Sequence, residues 1–184
     1  MNRLAIARAA RIVRNGGVIA YPTEAVFGLG CSPRDRTAVR RVLSIKRRSW
    51  RKGLILIAAN FAQLERYVAL PPEPRRREVL ASWPGPHTWV LEAQPDAPRL
   101  ITGARRTVAV RVTAHPVARE LCLAVGAALV STSANLSRRP PHRVLLHLRR
   151  ELGAKVDYVL AGPLGDLAQP TVIRDGRSGR ILRR

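Results

Sequence analysis

Residues 53–58, Gly-Leu-Ile-Leu-Ile-Ala, are apolar on both alternating faces. A strand of that kind reads as a buried central strand of a sheet covered on both sides. Around it the apolar period switches between helix and strand in the α/β manner. Asn2 is placed to cap a helix with Ala5, Ala9, Ile12 and Val13 on one face, stopped at Gly16 and Gly17. A short strand over 18–22 ends at Pro22, a loop covers 23–33, and a second helix runs from about Asp35 to Arg47. Asn60 caps a short helix, and a basic helix covers roughly 73–82. Strands at 87–93 and 107–113 are separated by a polar loop. Pro116 opens a helix that closes at Gly126, and 128–135 is a strand breaking into a polar turn. A helix over 143–152 sets Val144, Leu145, Leu148 and Leu152 on one side and is capped by Gly153, and short strands near 157–160, 171–174 and 180–183 follow. The expectation is one α/β domain over 1–184 with a mixed sheet.

Several chemistries are set aside by what the chain lacks. Cys31 and Cys122 stand far apart and outside any CxxC pair, so two buried thiols are expected rather than a disulfide or a zinc site. His142 and His147 are five apart, off the i,i+4 spacing of a helical metal pair, and no protein-ligated metal is expected. No GxxxxGK[ST] loop, GxSxG elbow or HExxH motif is present, and the Gly28-x-Gly30 pair is too weak for a dinucleotide fold. No apolar run reaches the ~20 residues of a membrane span. Arg3, Arg8, Arg11 and Arg14 read as part of the first helix rather than a transit peptide, so the cytoplasm is expected. With 33 Lys+Arg against 12 Asp+Glu, the net charge is +21, which attracts polyanions without identifying one.

Four constellations can carry chemistry. Nine basic residues and one acid lie between Arg34 and Lys52, and Lys46, Arg48 and Lys52 stand where a helix end runs toward the 53–58 strand. The spacing suits two cations aimed at one phosphate site, or, more commonly, ordinary complements to a helix dipole. Ser131-Thr132-Ser133-Ala134-Asn135 follows an apolar strand, as a ligand edge or as a Ser/Asn turn. Thr23 and Glu24 follow another strand. Thr23 suits recognition of a small hydroxylated substrate; Glu24 suits acid/base work or, more commonly, capping of backbone amides. Arg111 interrupts an apolar strand and either faces solvent or meets an anion in a cleft, with the cleft favoured.

Taken in order, GGVIAYPTEAVFGLGC, IKRRSWRKGLILIA, WPGPHTWVLEA, TVAVRVTAHP, LVSTSANLSRRPP and TVIRDGRSGRILRR resemble the YrdC/TsaC family of threonylcarbamoyl-AMP synthases, in its single-domain bacterial branch. The resemblance implies a YrdC-like twisted mixed sheet flanked by helices around a deep basic cleft. It implies formation of threonylcarbamoyl-AMP and pyrophosphate from L-threonine, bicarbonate or CO2, and ATP, for tRNA modification. The family's K-x-R and S-x-N patterns fall on Lys46, Arg48, Ser133 and Asn135, implied to be catalytic. Arg48, Lys52, Thr107, Ser133 and Arg183 are implied around ATP, and Thr23, Arg111, Ser131 and Thr171 around threonine. Mg²⁺ is expected with ATP, without a protein motif to hold it. tRNA and a downstream threonylcarbamoyl-transferase complex are implied as partners, with no membrane. Three positions depart from the pattern: Ser49 for a common proline, Arg138 for a glycine, and Ile57 where two-domain relatives carry a substrate-contacting histidine. The competing readings are a non-catalytic RNA-binding module and a paralogue with another carbamoyl-transfer task.

Overall fold

The computed structural model describes residues 2–137, 139–169 and 171–183; Arg138 lies outside them. Helices α1 (Arg3–Arg14), α2 (Arg36–Lys46), α3 (Arg75–Ala81), α4 (Arg99–Thr102), α5 (Pro116–Val125) and α6 (Leu145–Leu152) accompany ten strands. The strands are β1 (Ile19–Pro22), β2 (Phe27–Gly30), β3 (Ile55–Ala58), β4 (Val68–Ala69), β5 (His87–Ala93), β6 (Thr107–Val112), β7 (Leu129–Ser133), β8 (Tyr158–Val159), β9 (Val172–Asp175) and β10 (Ile181–Arg183). They form one mixed sheet in the order β10-β9-β5-β6-β3-β7-β2-β1-β8, with β4 added to β5. β3 sits at its centre, parallel to β6 and antiparallel to β7.

The helix starts have local causes. Asn2 Oδ1 accepts from Ala5 N at 3.1 Å to begin α1, and Asp35 Oδ1 accepts from Ala38 N at 2.8 Å to begin α2. His115 Nδ1 accepts from Ala118 N at 3.3 Å to begin α5, whose first residue is Pro116. The buried stripe of α1 is Ile6, Ala9, Ala10 and Val13, so Ala5 and Ile12 fall on its margins. On α6 Leu148 and Leu152 are buried, but Val144 lies outside the helix and is exposed. Gly153 keeps a helical φ and passes the chain into a 3₁₀ turn rather than ending it.

Two segments read as loops contain elements. Phe27–Gly30 is β2, because only its two non-glycine side chains were available to show a period, and glycines hide one. The stretch after β5 holds α4, a single turn whose Ile101 and Thr102 are buried. β4, two residues long, carries too little pattern to be seen.

The alternation of β3 divides the core. Leu56 and Ala58 join Val110, Val130, Leu29 and Ala20 against Val39, Val42 and Leu43 of α2. Ile57 faces the other way, with Ile19, Tyr21 and Leu129, beneath α1 and α5. That second layer covers only part of its face. One step along the strands from Ile57 and Leu129, Ile55 and Ser131 leave the covered region and border a cleft.

Candidate active site

The cleft encloses about 720 Å³ and is lined by Thr23, Lys46, Arg48, Lys52, Arg111, Ser131, Ser133, Asn135, Thr171 and Arg183, among others. An adjoining recess shares Arg48, Lys52 and Arg183 and adds Thr107, Arg105 and an apolar wall of Val90, Ala109 and Ile173. All eleven site residues expected from the sequence therefore border one continuous hollow. Ile57 does not. It is fully buried under α5, where Cys122 Sγ approaches its carbonyl at 3.8 Å.

At one side of the cleft, the end of α2 is tied to the turn after β7. Lys46 is 3% exposed. Its Nζ donates to Asn135 Oδ1 at 2.7 Å, Asn135 O at 3.1 Å, Ser133 Oγ at 3.3 Å and the Ser133 carbonyl. Ser133 Oγ donates to Asn135 Oδ1 at 2.7 Å, and Ser137 N to Lys46 O at 2.9 Å. An ammonium has three protons to give, and this one already faces four protein acceptors. Lys46 thus holds the Ser133–Asn135 turn at the edge of the cleft. Burial first, then the neighbouring charge of Arg48, pushes its pKa down to about 8.

Arg48 is different. It follows Arg47, which takes a left-handed φ of 49° at the end of α2 and turns the chain toward β3. Its guanidinium donates to Gly53 O from Nη2 at 3.1 Å and Nε at 3.4 Å. The departure at Ser49 has a local use: its hydroxyl accepts from Arg51 N at 3.4 Å and starts the 3₁₀ turn bearing Lys52. Desolvation lowers the pKa of Arg48, as do Arg183 and Arg105; Arg183 is lowered by desolvation and then by Arg111. The arginines in ion pairs among the described residues are Arg41, Arg75, Arg111, Arg119, Arg174 and Arg177. Arg48 is instead repelled by Arg183 and Arg105 across the hollow, a field that an entering anion relieves. Arg105 was missed because it sits in a polar loop among other arginines, with no pattern to distinguish it.

The far end of the cleft is built on Arg111, 5% exposed. It forms an ion pair with Glu24 Oε2 at 3.0 Å and donates to Thr171 Oγ1 at 2.5 Å. Glu24 Oε1 accepts from Thr113 Oγ1 at 2.6 Å, and Thr88 Oγ1 meets Thr171 Oγ1 at 3.2 Å. Glu24 is therefore neither an acid/base group open to substrate nor a cap on backbone amides. It is the counter-ion that lets Arg111 be buried. Thr88 and Thr113 carry no sequence signal of their own; only the strand alternation that set Arg111 inward could have pointed to Thr113, two residues on. Thr23 Oγ1 donates to Val26 O at 2.6 Å, and its loop is strapped by Gly165 N to Thr23 O at 3.0 Å and Leu167 N to Glu24 O at 3.1 Å.

Two carboxylates beside the cleft already have partners. Glu24 is taken by Arg111 and Thr113, while Asp175 Oδ1 accepts from Arg177 N, Ser178 N and Ser178 Oγ. Among the described residues no group of three or more His, Cys, Asp and Glu side chains comes together. The donors present do not fit a protein-held Mg²⁺.

Comparison with known proteins gives this arrangement a context. Proteins named threonylcarbamoyl-AMP synthase from Halorhodospira halophila and Nitrosococcus oceani are 57% and 53% identical over 179 and 175 residues, or 97% and 95% of this chain and 94% and 95% of theirs. The structure of P. abyssi Sua5 complexed with L-threonine superposes with a TM-score of 0.89 at 33% identity, covering 95% of this chain and 52% of that one. The chain thus spans about half of the Sua5 protein. E. coli YciO matches with a TM-score of 0.86 at 27% identity, over 99% of this chain and 89% of its own. The Sua5_yciO_yrdC sequence model, described as "Telomere recombination", matches residues 11–184, and with these identities along the full fold the chain belongs to the Sua5/YciO/YrdC family.

Proposed function

We infer that the chain is a threonylcarbamoyl-AMP synthase, and we propose how its cleft works. The observation that carries the mechanism is the gathering of Arg48, Arg105, Arg183 and Lys52, none in a carboxylate pair among the described residues, around one hollow. The identity with named synthases and the likeness to a Sua5 that binds L-threonine support the same reading.

Threonine's amine adds to CO2, supplied by bicarbonate, to give a carbamate and a proton. A carbamate oxygen then attacks the α-phosphate of ATP; the bond to the β-phosphate oxygen breaks, and pyrophosphate leaves with that electron pair. Both reactants are anions, so the barrier is one of charge and position. Arg48, Lys52 and Arg183 take the phosphates, with Thr107 and Ser133 as hydroxyl partners, and the recess walled by Val90, Ala109 and Ile173 suits the adenine ring. Thr23, Ser131, Thr171 and Arg111 surround threonine. Lys46 and Asn135 keep the Ser133 turn in place between the two ends. Mg²⁺ accompanying ATP would withdraw charge from the triphosphate, with no residue of this chain assigned to hold it.

Replacing Arg48 by alanine tests this mechanism. Threonine-dependent pyrophosphate release should fall by about 100-fold or more, with the thermal midpoint nearly unchanged because Arg48 bonds only to a carbonyl. Turnover within threefold of the parent protein defeats it.

Arginines left over from the catalytic cluster favour a tRNA contact as well. Arg34, Arg36, Arg40 and Arg99 line a second groove of about 1090 Å³ that meets the cleft at Arg47, Arg48 and Ser49 and has no acid in its lining. We place the protein in the cytoplasm, with its tRNA and a threonylcarbamoyl-transferase complex; among the described residues no helix is long and apolar enough to cross a membrane.

A further inference from the structure

Tyr21 is fully buried, with its ring against Gly28, a residue of the cleft lining, and its hydroxyl forms no hydrogen bond of normal geometry among the described residues. An unpaired buried phenol lowers stability relative to phenylalanine, so its presence calls for a use.

The sheet register shows where it reaches. Tyr21 on β1 lies opposite Gly28 on β2, and Gly28 lies opposite Ser133 on β7. Gly28 and Gly30 present no side chain on this face, so the ring lies across β2. A Cβ at Gly30 would stand 2.7 Å from Tyr21 Cε1, and one at Gly28 would stand 3.5 Å from its Cζ. Beyond β2 the ring tip meets β7, where Ser131 faces it and also lines the cleft. Two glycines thus open a channel through which a tyrosine on one strand touches a serine two strands away.

We propose that Tyr21 is a positioning residue for the amino-acid substrate and acts through Ser131. On substrate binding the phenol, the more acidic hydroxyl, donates to Ser131 Oγ. Ser131 then turns its own O–H into the cleft as a polarised donor to an oxygen of the substrate carboxylate or carbamate. Phenylalanine would fill the channel equally well but leave the serine rotor free. The inference rests on the placement of threonine beside Ser131.

Tyr21→Phe, Ser131→Ala and the double variant test it, with KM for threonine, KM for ATP, kcat and the thermal midpoint measured for each. In Tyr21→Phe, KM for threonine should rise about 5- to 10-fold, the size of one hydrogen bond. Its kcat should change less than about twofold, with KM for ATP and the midpoint held or the midpoint raised. Ser131→Ala should raise KM for threonine similarly, and adding Tyr21→Phe should make it no worse. If Tyr21→Phe leaves KM for threonine within twofold while Ser131→Ala raises it, Tyr21 has no such role although threonine does lie there. If Ser131→Ala also has no effect, the placement of threonine is wrong. A Tyr21→Phe protein with a lower midpoint and both KM values raised alike reduces Tyr21 to a packing residue, and the proposal fails.

Discussion

At the scale of single residues, the cations of the cleft divide into those that are free and those that are spent. Arg48 and Arg183 meet one another's charge; Lys46 is saturated by Ser133 and Asn135, and Arg111 is charge-balanced by Glu24 and bonded to Thr171, with its Nε left without a partner among the described residues. The state of Lys46 has a pH signature. Its folded pKa, pushed down to about 8 by burial and then by Arg48, lies below the ordinary 10.5. Between those values the unfolded chain binds the extra proton, so stability rises with pH there as the penalty for a buried ammonium is lifted. Activity runs the other way, because a neutral amine has one donor fewer for the Ser133–Asn135 turn. Turnover should decline above about pH 8 while the stability of the parent protein relative to Lys46→Met increases. A stability difference that shrinks over that window contradicts the lowered pKa, and turnover that holds level above pH 8 contradicts the clamp.

At the scale of elements, the turn carrying Arg48 and Lys52 is held from behind by α4. Gly53, at φ +67°, and Gly103, at φ +70°, stand back to back, and a Cβ on Gly103 would lie 2.6 Å from both Arg51 O and Gly53 N. Neither backbone atom can yield without moving Gly53, whose carbonyl anchors Arg48. Gly103→Ala should lower unfolding free energy by about 2 kcal/mol and raise KM for ATP several-fold. Gly126, at φ +78° with nothing within 4 Å, is the control. Alanine there should cost about 1 kcal/mol, measured by urea denaturation, and leave KM for ATP unchanged. Equal effects of the two substitutions on KM would mean that α4 does not support the nucleotide end of the site.

Over the whole molecule, a net charge of +21 at 184 residues gives a field that extends beyond the cleft. If the second groove holds tRNA, affinity should fall steeply between about 50 and 200 mM salt. Replacing Arg34, Arg36 and Arg40 together by alanine should reduce the slope of log affinity against log salt by about 2 to 3, roughly one for each phosphate that is no longer neutralised. Pyrophosphate release in the absence of RNA should stay unchanged. A slope unaltered by those three substitutions assigns RNA attraction to the general field rather than to the groove.

Much of the fold was written locally. Asn2 and Asp35 mark helix starts, Pro116 and Gly126 bound α5, and the two apolar faces of 53–58 make β3 central, because each depends on side chains within a few residues of each other. β2 and α4 escaped because glycines in one and a single buried turn in the other leave no period to read. For the site, residue order marked Lys46, Arg48, Ser133, Asn135 and Arg111 through their resemblance to a family, but partnership is a matter of distance across the sheet. Only the tertiary structure decided that Lys46 is a clamp, that Glu24 is the counter-ion of Arg111, and that Arg105 joins the free cations. Those roles are set by strands brought side by side from positions 87 residues or so apart, where charge, burial and hydrogen-bond saturation are fixed by neighbours the sequence does not place together.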